Sequence, residues 1–156
     1  MKSEPDVYGI DHLIAAGGPA MWEGCRNYTV RNMFRDQFKV GDLALFSHSN
    51  AKPSGLAGIM RVASLSYPDP TQFDPESHYY DEKSPKENPR WLCVDVEFVE
   101  KFPRIVSLAE MREDPVLAGM ETLKKGSRLS VTPVTEAEWN RALELARTAP
   151  SDASRG

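Results

Sequence analysis

Two stretches of the chain space their apolar residues as a helix does, and others alternate as a strand does. Between Asn27 and Phe38 the residues Val30, Met33 and Phe34 fall at i, i+3 and i+4, which puts one helical face on a core. Arg31 and Arg35 lie four apart on that predicted helix and share a face. Near the C-terminus Trp139, Ala142, Leu143 and Ala146 form a second stripe. Thr135-Glu-Ala-Glu138 just before it is a capping box, a hydroxyl and a carboxylate spaced to satisfy each other's end amides. Ser107-Leu-Ala-Glu110 is another, and Asp114-Pro115 closes the short helix it opens. Pro5 to Leu13 predicts an exposed turn leading into a short helix that Ala16-Gly-Gly-Pro19 stops.

The clearest strand is Trp91 to Val99, where Leu92, Val94, Val96 and Phe98 alternate with Cys93, Asp95 and Glu97. Shorter strands are predicted at Leu43–His48, Leu56–Ser64 and Arg128–Val134. Val40-Gly-Asp42 turns into the first, and Gly55 and Gly58 mark a turn or a close backbone approach at the second. Tyr67 to Pro89 carries five prolines and many acids, and no repeating structure fits it. Its aromatics Tyr67, Phe73, Tyr79 and Tyr80 predict a loop that packs down on the body. Helices and strands never alternate regularly, so a mixed or antiparallel sheet curled into a small barrel with flanking helices fits better than a parallel sheet.

At 156 residues with 40% hydrophobic content, one compact domain is expected. Such a chain buries roughly two thirds of its unfolded surface and needs no disulfide or structural metal. No run approaches the about 18 apolar residues of a membrane span, and the first residues, MKSEPDVYG, lack a signal peptide's apolar stretch. A cytoplasmic, monomeric protein is the expectation. Cys25 and Cys93 lie far apart without a C-x-x-C partner, as packing residues do. With 19 basic against 23 acidic residues the net charge is −4, the wrong sign for gripping nucleic acid through phosphates alone. The 23–39 segment is locally positive, through Arg26, Arg31, Arg35 and Lys39 against Glu23 and Asp36, whereas the 69–82 stretch adds five acidic groups and no Lys or Arg.

Candidate chemistry follows from these segments. A hydrolase would take Cys25 as nucleophile, His48 as base and Asn50 as its orienter, yet Glu23-Gly-Cys-Arg26 is no nucleophile elbow. His12, His48 and His78 have no metal-ligand spacing, and Gly55-Leu-Ala-Gly58 is too short to cradle phosphate. No cofactor is implied. Two segments, Trp22 to Asn32 and Ser47 to Lys52, concentrate indole, phenol, amide, hydroxyl and guanidinium groups. Flat rings stack on bases and amides bond base edges, as a pocket for an extruded base requires. On the alternative reading Trp22 and Tyr28 are core aromatics, Asn27 and Asn32 are caps or turn residues, and the arginines are solvated.

The motifs Lys2-Ser-Glu-Pro-Asp6, Trp22-Glu-Gly-Cys-Arg-Asn-Tyr-Thr-Val-Arg-Asn32, Lys39-Val-Gly-Asp42, His48-Ser-Asn50, Tyr67-Pro-Asp-Pro70, Asn88-Pro-Arg-Trp91, Val94-Asp-Val96 and Arg128-Leu-Ser-Val131, in this order, resemble those of the EVE domain family. The resemblance covers residues 1–147 as one domain and leaves 148–156 as a disordered tail. It implies an α+β, PUA-like fold, a curled mixed β-barrel with flanking helices related to the YTH and ASCH domains. It also implies a reader of nucleic acid, not an enzyme, binding a methylated or hydroxymethylated base, in DNA first, by base flipping. The alternatives are an RNA-binding PUA-like module, a nucleotide-processing hydrolase with Glu4 or His48 as base, and a protein-recruiting module using the 67–89 loop.

Carried over position by position, the resemblance implies a ligand pocket of Ser3, Glu4, Trp22, Asn27, Tyr28, Asn32, His48, Ser49 and Asn50, roofed by Trp22, with Arg26 and Arg31 toward phosphates. For some of these the alternatives are structural: Glu4 as a helix cap, His48 as a satisfied core histidine, Arg26 as an internal brace. Two departures stand out. Met1 directly precedes Lys2, where the family carries a short aromatic-led strand, and Ser47 stands where an aromatic precedes the His-Ser motif.

Overall fold

The computed structural model describes residues 1–49, 51–123 and 130–147. Its elements in chain order are β1 (Lys2–Ser3), α1 (Pro5–Tyr8), α2 (Ile10–Ala16), β2 (Ala20–Trp22), α3 (Tyr28–Asp36) and β3 (Leu43–His48). They continue with β4 (Gly55–Val62), β5 (Tyr67–Pro68), β6 (Leu92–Ser107), α4 (Leu108–Glu113) and α5 (Glu136–Arg147). The strands are ordered β1-β3-β4-β6-β2, and β5 pairs with β6 off that path. Because β1 runs parallel to β3 while β2 and β5 run antiparallel to β6, the sheet is mixed.

The chain groups into two compact units that interleave in sequence: Met1–His12, Leu45–Ile59 and the part from Val99 onward, and Leu13–Ala44 with Met60–Phe98. In the first, Leu45, Leu56, Ile59, Phe102, Val106 and Met111 join Ala142 and Ala146 of α5 in one core. Trp139 and Leu143 pack against it, so the predicted stripe is the buried face of α5. Both capping boxes form: the Ser107 hydroxyl accepts from the Glu110 amide at 3.1 Å, and Thr135 and Glu138 bond reciprocally at 2.9 and 3.1 Å. Arg104 of β6 grips Glu110 of α4 with both terminal nitrogens, at 2.7 and 2.8 Å, and reaches the Leu145 carbonyl of α5 at 2.8 Å. Gly58 has no alternative, since a Cβ there would stand 2.2 Å from the Ile10 side chain and 2.3 Å from the Glu100 carbonyl.

In the second unit α3 buries Val30 and Phe34. Trp22 of β2 pairs with Val94, and Tyr67 of β5 with Cys93. The adjacent residues Cys93 and Val94 point to opposite faces of β6 and are both fully buried, so both faces are covered there. That departs from the one-sided alternation expected there. Burial pushes the Cys93 thiol up to about 12.

Three element predictions need correction. The strand expected at Trp91–Val99 runs from Leu92 on to Ser107. Residues 130–134 form no strand, although the Ser130 carbonyl accepts from the Lys2 amide at 2.8 Å, while Arg128 and Leu129 lie outside the described residues. Tyr67–Pro89 contains β5 and a 3-10 turn at Pro70–Phe73. The segment 148–156 also lies outside the described residues.

Candidate functional site

The predicted site residues fall in both units. In the first, β1 aligns Ser3 with His48 of β3, and the Ser49 amide donates to the Ser3 carbonyl at 2.9 Å, so the Lys-Ser-Glu and His-Ser motifs are neighbours. Met1 continues the pairing: its amino group donates to the Leu45 carbonyl at 2.9 Å and its carbonyl accepts from Ser47 at 2.8 Å. Glu4 stands exposed at the start of α1 and its side chain makes no capping bond there. His48 accepts the Ile10 amide on Nε2 at 3.1 Å. His12 of α2 accepts the Gly9 amide on Nδ1 at 2.7 Å, so two imidazoles receive two successive backbone donors where α1 meets α2. Burial holds the His48 imidazole below its usual value, Asp11 opposing and Lys101 assisting. Ser47 is buried. Asn50 lies outside the described residues.

The second unit holds Trp22, Arg26, Asn27, Tyr28, Arg31 and Asn32. Asn27 is the N-cap of α3: its Oδ1 accepts from Thr29 and Val30 at 2.8 and 3.2 Å, which leaves only its amide donors for a ligand. Trp22 is 6% exposed and belongs to the packed interior, not to an open roof. Tyr28 by contrast is 51% exposed, its ring 4.8 Å from that of Trp91. The Arg31 guanidinium lies 4.8 Å from the Tyr28 ring centre and donates twice to Asn32 Oδ1, at 3.1 and 2.8 Å.

Arg26, expected toward phosphate, is turned inward. It pairs with Asp69 at 3.1 Å and donates to the Tyr79 carbonyl at 2.7 and 3.1 Å and to the Thr71 hydroxyl at 3.0 Å. Asp69 has 0% exposure and also accepts the Gly24 amide at 2.8 Å. A buried carboxylate needs such a partner, which makes Arg26 a brace. Gly24 closes the joint: with φ +85° and the Tyr79 ring 2.6 Å from where a Cβ would stand, only glycine fits.

Sequence reasoning missed Asp69, Gln72, Tyr79, Asp81 and Trp91 as the support beneath this segment. Gln72 is fully buried and makes four bonds within the loop: its amide nitrogen donates to the carbonyls of Asp69 and Trp91, and its oxygen accepts from the Ser84 hydroxyl and the Trp91 amide. The Trp91 indole donates to Asp81 at 2.7 Å. The available signal was the Tyr67-Pro-Asp-Pro70 motif, with an aspartate placed to cap the turn that follows.

For catalysis the arrangement offers little. Cys25 is buried and His48 Nε2 is occupied by the Ile10 amide. Among the described residues no group of three or more His, Cys, Asp or Glu side chains is placed to hold a metal, and no helix is long and apolar enough to cross a membrane.

Comparison with known proteins gives concordant results. A family model described as EVE domain matches residues 1–145. Thymocyte nuclear protein 1 of Homo sapiens is 38% identical over 169 residues, covering 97% of this chain and 74% of its own. Its counterpart in Gallus gallus is 39% identical over 168 residues, covering 96% and 69%. Among solved structures, a Pseudomonas putida protein matches with TM-score 0.88 and 44% identity over 94% of this chain and 97% of that one. The human THYN1 protein, in complex with 5-methylcytosine-containing DNA, matches with TM-score 0.87 and 36% identity over 96% and 97%.

Proposed function

The chain belongs to the EVE domain family and has its α+β, PUA-like fold, and from that premise we propose that it binds nucleic acid carrying a modified base, DNA with 5-methylcytosine foremost. The observation that carries this reading is the likeness to the human THYN1 protein solved with such DNA. A base read on its Watson–Crick edge must first leave its pair, and the proposal includes such extrusion of the modified nucleotide. In the first unit Ser3, Glu4, His48 and Ser49 are the proposed contacts. In the second they are Tyr28 and Asn32, with Arg31 toward phosphate. Asn27 contributes through α3, which it caps, and Arg26 through Asp69.

The mechanism is recognition, not turnover. A ring nitrogen already accepting a backbone amide is a poor general base, so His48 serves better as a fixed wall than as a proton acceptor. Net negative charge works against phosphate-driven binding, which leaves discrimination to contacts with the base.

The test is a titration of one oligonucleotide sequence carrying either cytosine or 5-methylcytosine, as duplex and as single strand, with an RNA of the same sequence alongside. Binding several-fold tighter to the modified DNA is expected. Equal affinity for modified and plain DNA overturns the reader proposal, and tighter binding to the RNA reassigns the chain as an RNA-binding module.

A further inference from the structure

Half of the Tyr28 surface is open to solvent, and the groups around it are held by hydrogen bonds. The Trp91 ring is 4.8 Å away at an interplanar angle of 34°, is itself buried, and is fixed through its indole N–H to Asp81 at 2.7 Å. The Arg31 guanidinium lies over the Tyr28 ring at 4.8 Å. It is held by Asn32 Oδ1 through Nε and Nη2 and by the Arg90 carbonyl through Nη1 at 3.4 Å. A guanidinium has five N–H donors. Two of them have no partner among the described residues, nor does Arg31 form an ion pair there, whereas Arg35 is paired with Asp36 and Arg90 with Asp81.

We propose that Tyr28 and Arg31, mounted on Trp91, form a stacking platform for the nucleotide next to the modified base. This deepens the function proposed above and rests on it. When a base leaves the duplex, its neighbour loses a stacking partner and exposes a π face. Tyrosine rings and arginine planes both stack on nucleobases, and the remaining guanidinium donors suit the phosphate of the same nucleotide. Because the indole and the guanidinium are held before binding, little side-chain freedom is lost on contact. The Tyr28 ring keeps half of its surface open to solvent. Every base has a stacking face, so the contact adds affinity without regard to base identity or modification. Tyr28 therefore differs from the pocket role expected for it: it holds the strand and leaves discrimination to others.

The experiment compares the wild type with Tyr28→Ala, Tyr28→Leu and Tyr28→Phe on 5-methylcytosine and plain duplexes, with 2-aminopurine beside the modified position as a stacking reporter. Tyr28→Ala and Tyr28→Leu are expected to weaken both duplexes by the same factor, about fivefold to a hundredfold, and to abolish the change in reporter fluorescence on binding. Tyr28→Phe is expected to retain both. Tyr28→Leu keeps Trp91 covered, so a shared loss in the Leu and Ala variants reports the ring and not the fold. If Tyr28→Ala leaves affinity unchanged, or removes only the preference for the modified duplex, the platform is wrong while the reader proposal stands. A wild type that shows no preference, but loses affinity on Tyr28→Ala, overturns the reader proposal instead.

Discussion

Arg31 and Asn32 are adjacent on α3, and two nitrogens of the first bond the amide oxygen of the second. An edge-reading amide and a phosphate-binding guanidinium would be separable in principle, but this shared oxygen couples them. Asn32→Ala should therefore weaken plain and modified DNA together, by about 1–3 kcal/mol as a charged donor loses its acceptor, besides lowering the preference between them. Side-by-side titrations of the two duplexes check this. At Trp22 the expected outcome is a stability change. A side chain 6% exposed on β2 leaves a cavity when truncated, and Trp22→Ala should cost about 3–5 kcal/mol in denaturant unfolding. Which role a residue takes was legible where its partners are local. The Asn27 cap bonds residues two and three positions on, and the sequence named that possibility. Arg26 finds Asp69 43 positions away, and no local pattern distinguishes a guanidinium with a buried partner from a solvated one.

Elements defined by local pattern were read correctly. The period of Val30, Met33 and Phe34 sets α3, and the two capping boxes set the starts of α4 and α5, because each signal lies within one helical turn. Strands depend on partners far off in the chain, which is why β6 was read too short. The junction of α1 and α2 carries a consequence for pH. The folded chain keeps the His48 imidazole neutral below its ordinary range, since burial and the Ile10 amide both favour the uncharged ring. The unfolded chain takes up that proton near pH 6.5 while the folded one resists, so the unfolded state binds more protons and stability is lost as pH falls. The midpoint of thermal unfolding should decline as pH drops through about 6.5 toward 5. His48→Gln, whose amide oxygen can still accept from Ile10, should flatten that part of the curve. A curve already flat in the wild type refutes the assignment.

For the whole molecule, a net charge of −4 and an Arg26 committed to Asp69 leave few cations for phosphate. Log affinity falls with log salt in proportion to the phosphates neutralised, so a slope of about −1 to −3 is expected for a modified duplex, and Arg31→Ala should make it shallower by about one. A slope near −8 would mark a general phosphate binder. This much was legible from charge and motif order. The support beneath the site was not, because it depends on a proline-rich stretch that carries no periodic signal. That stretch has a second consequence. Gln72 ties Asp69, Ser84 and Trp91 together from inside, and its own carbonyl accepts the Asp81 amide at 2.9 Å. To cut after Lys83 or Lys86, trypsin must draw an extended segment into its cleft, which requires those buried bonds to open first. A stretch with the composition of a linker should thus survive digestion as well as the helices do, and the amide hydrogens of Asp81 and Trp91 should be among the slower to exchange with solvent deuterium. Gln72→Ala should speed both cleavage and exchange, turning the most proline-rich part of the chain into its most easily severed one.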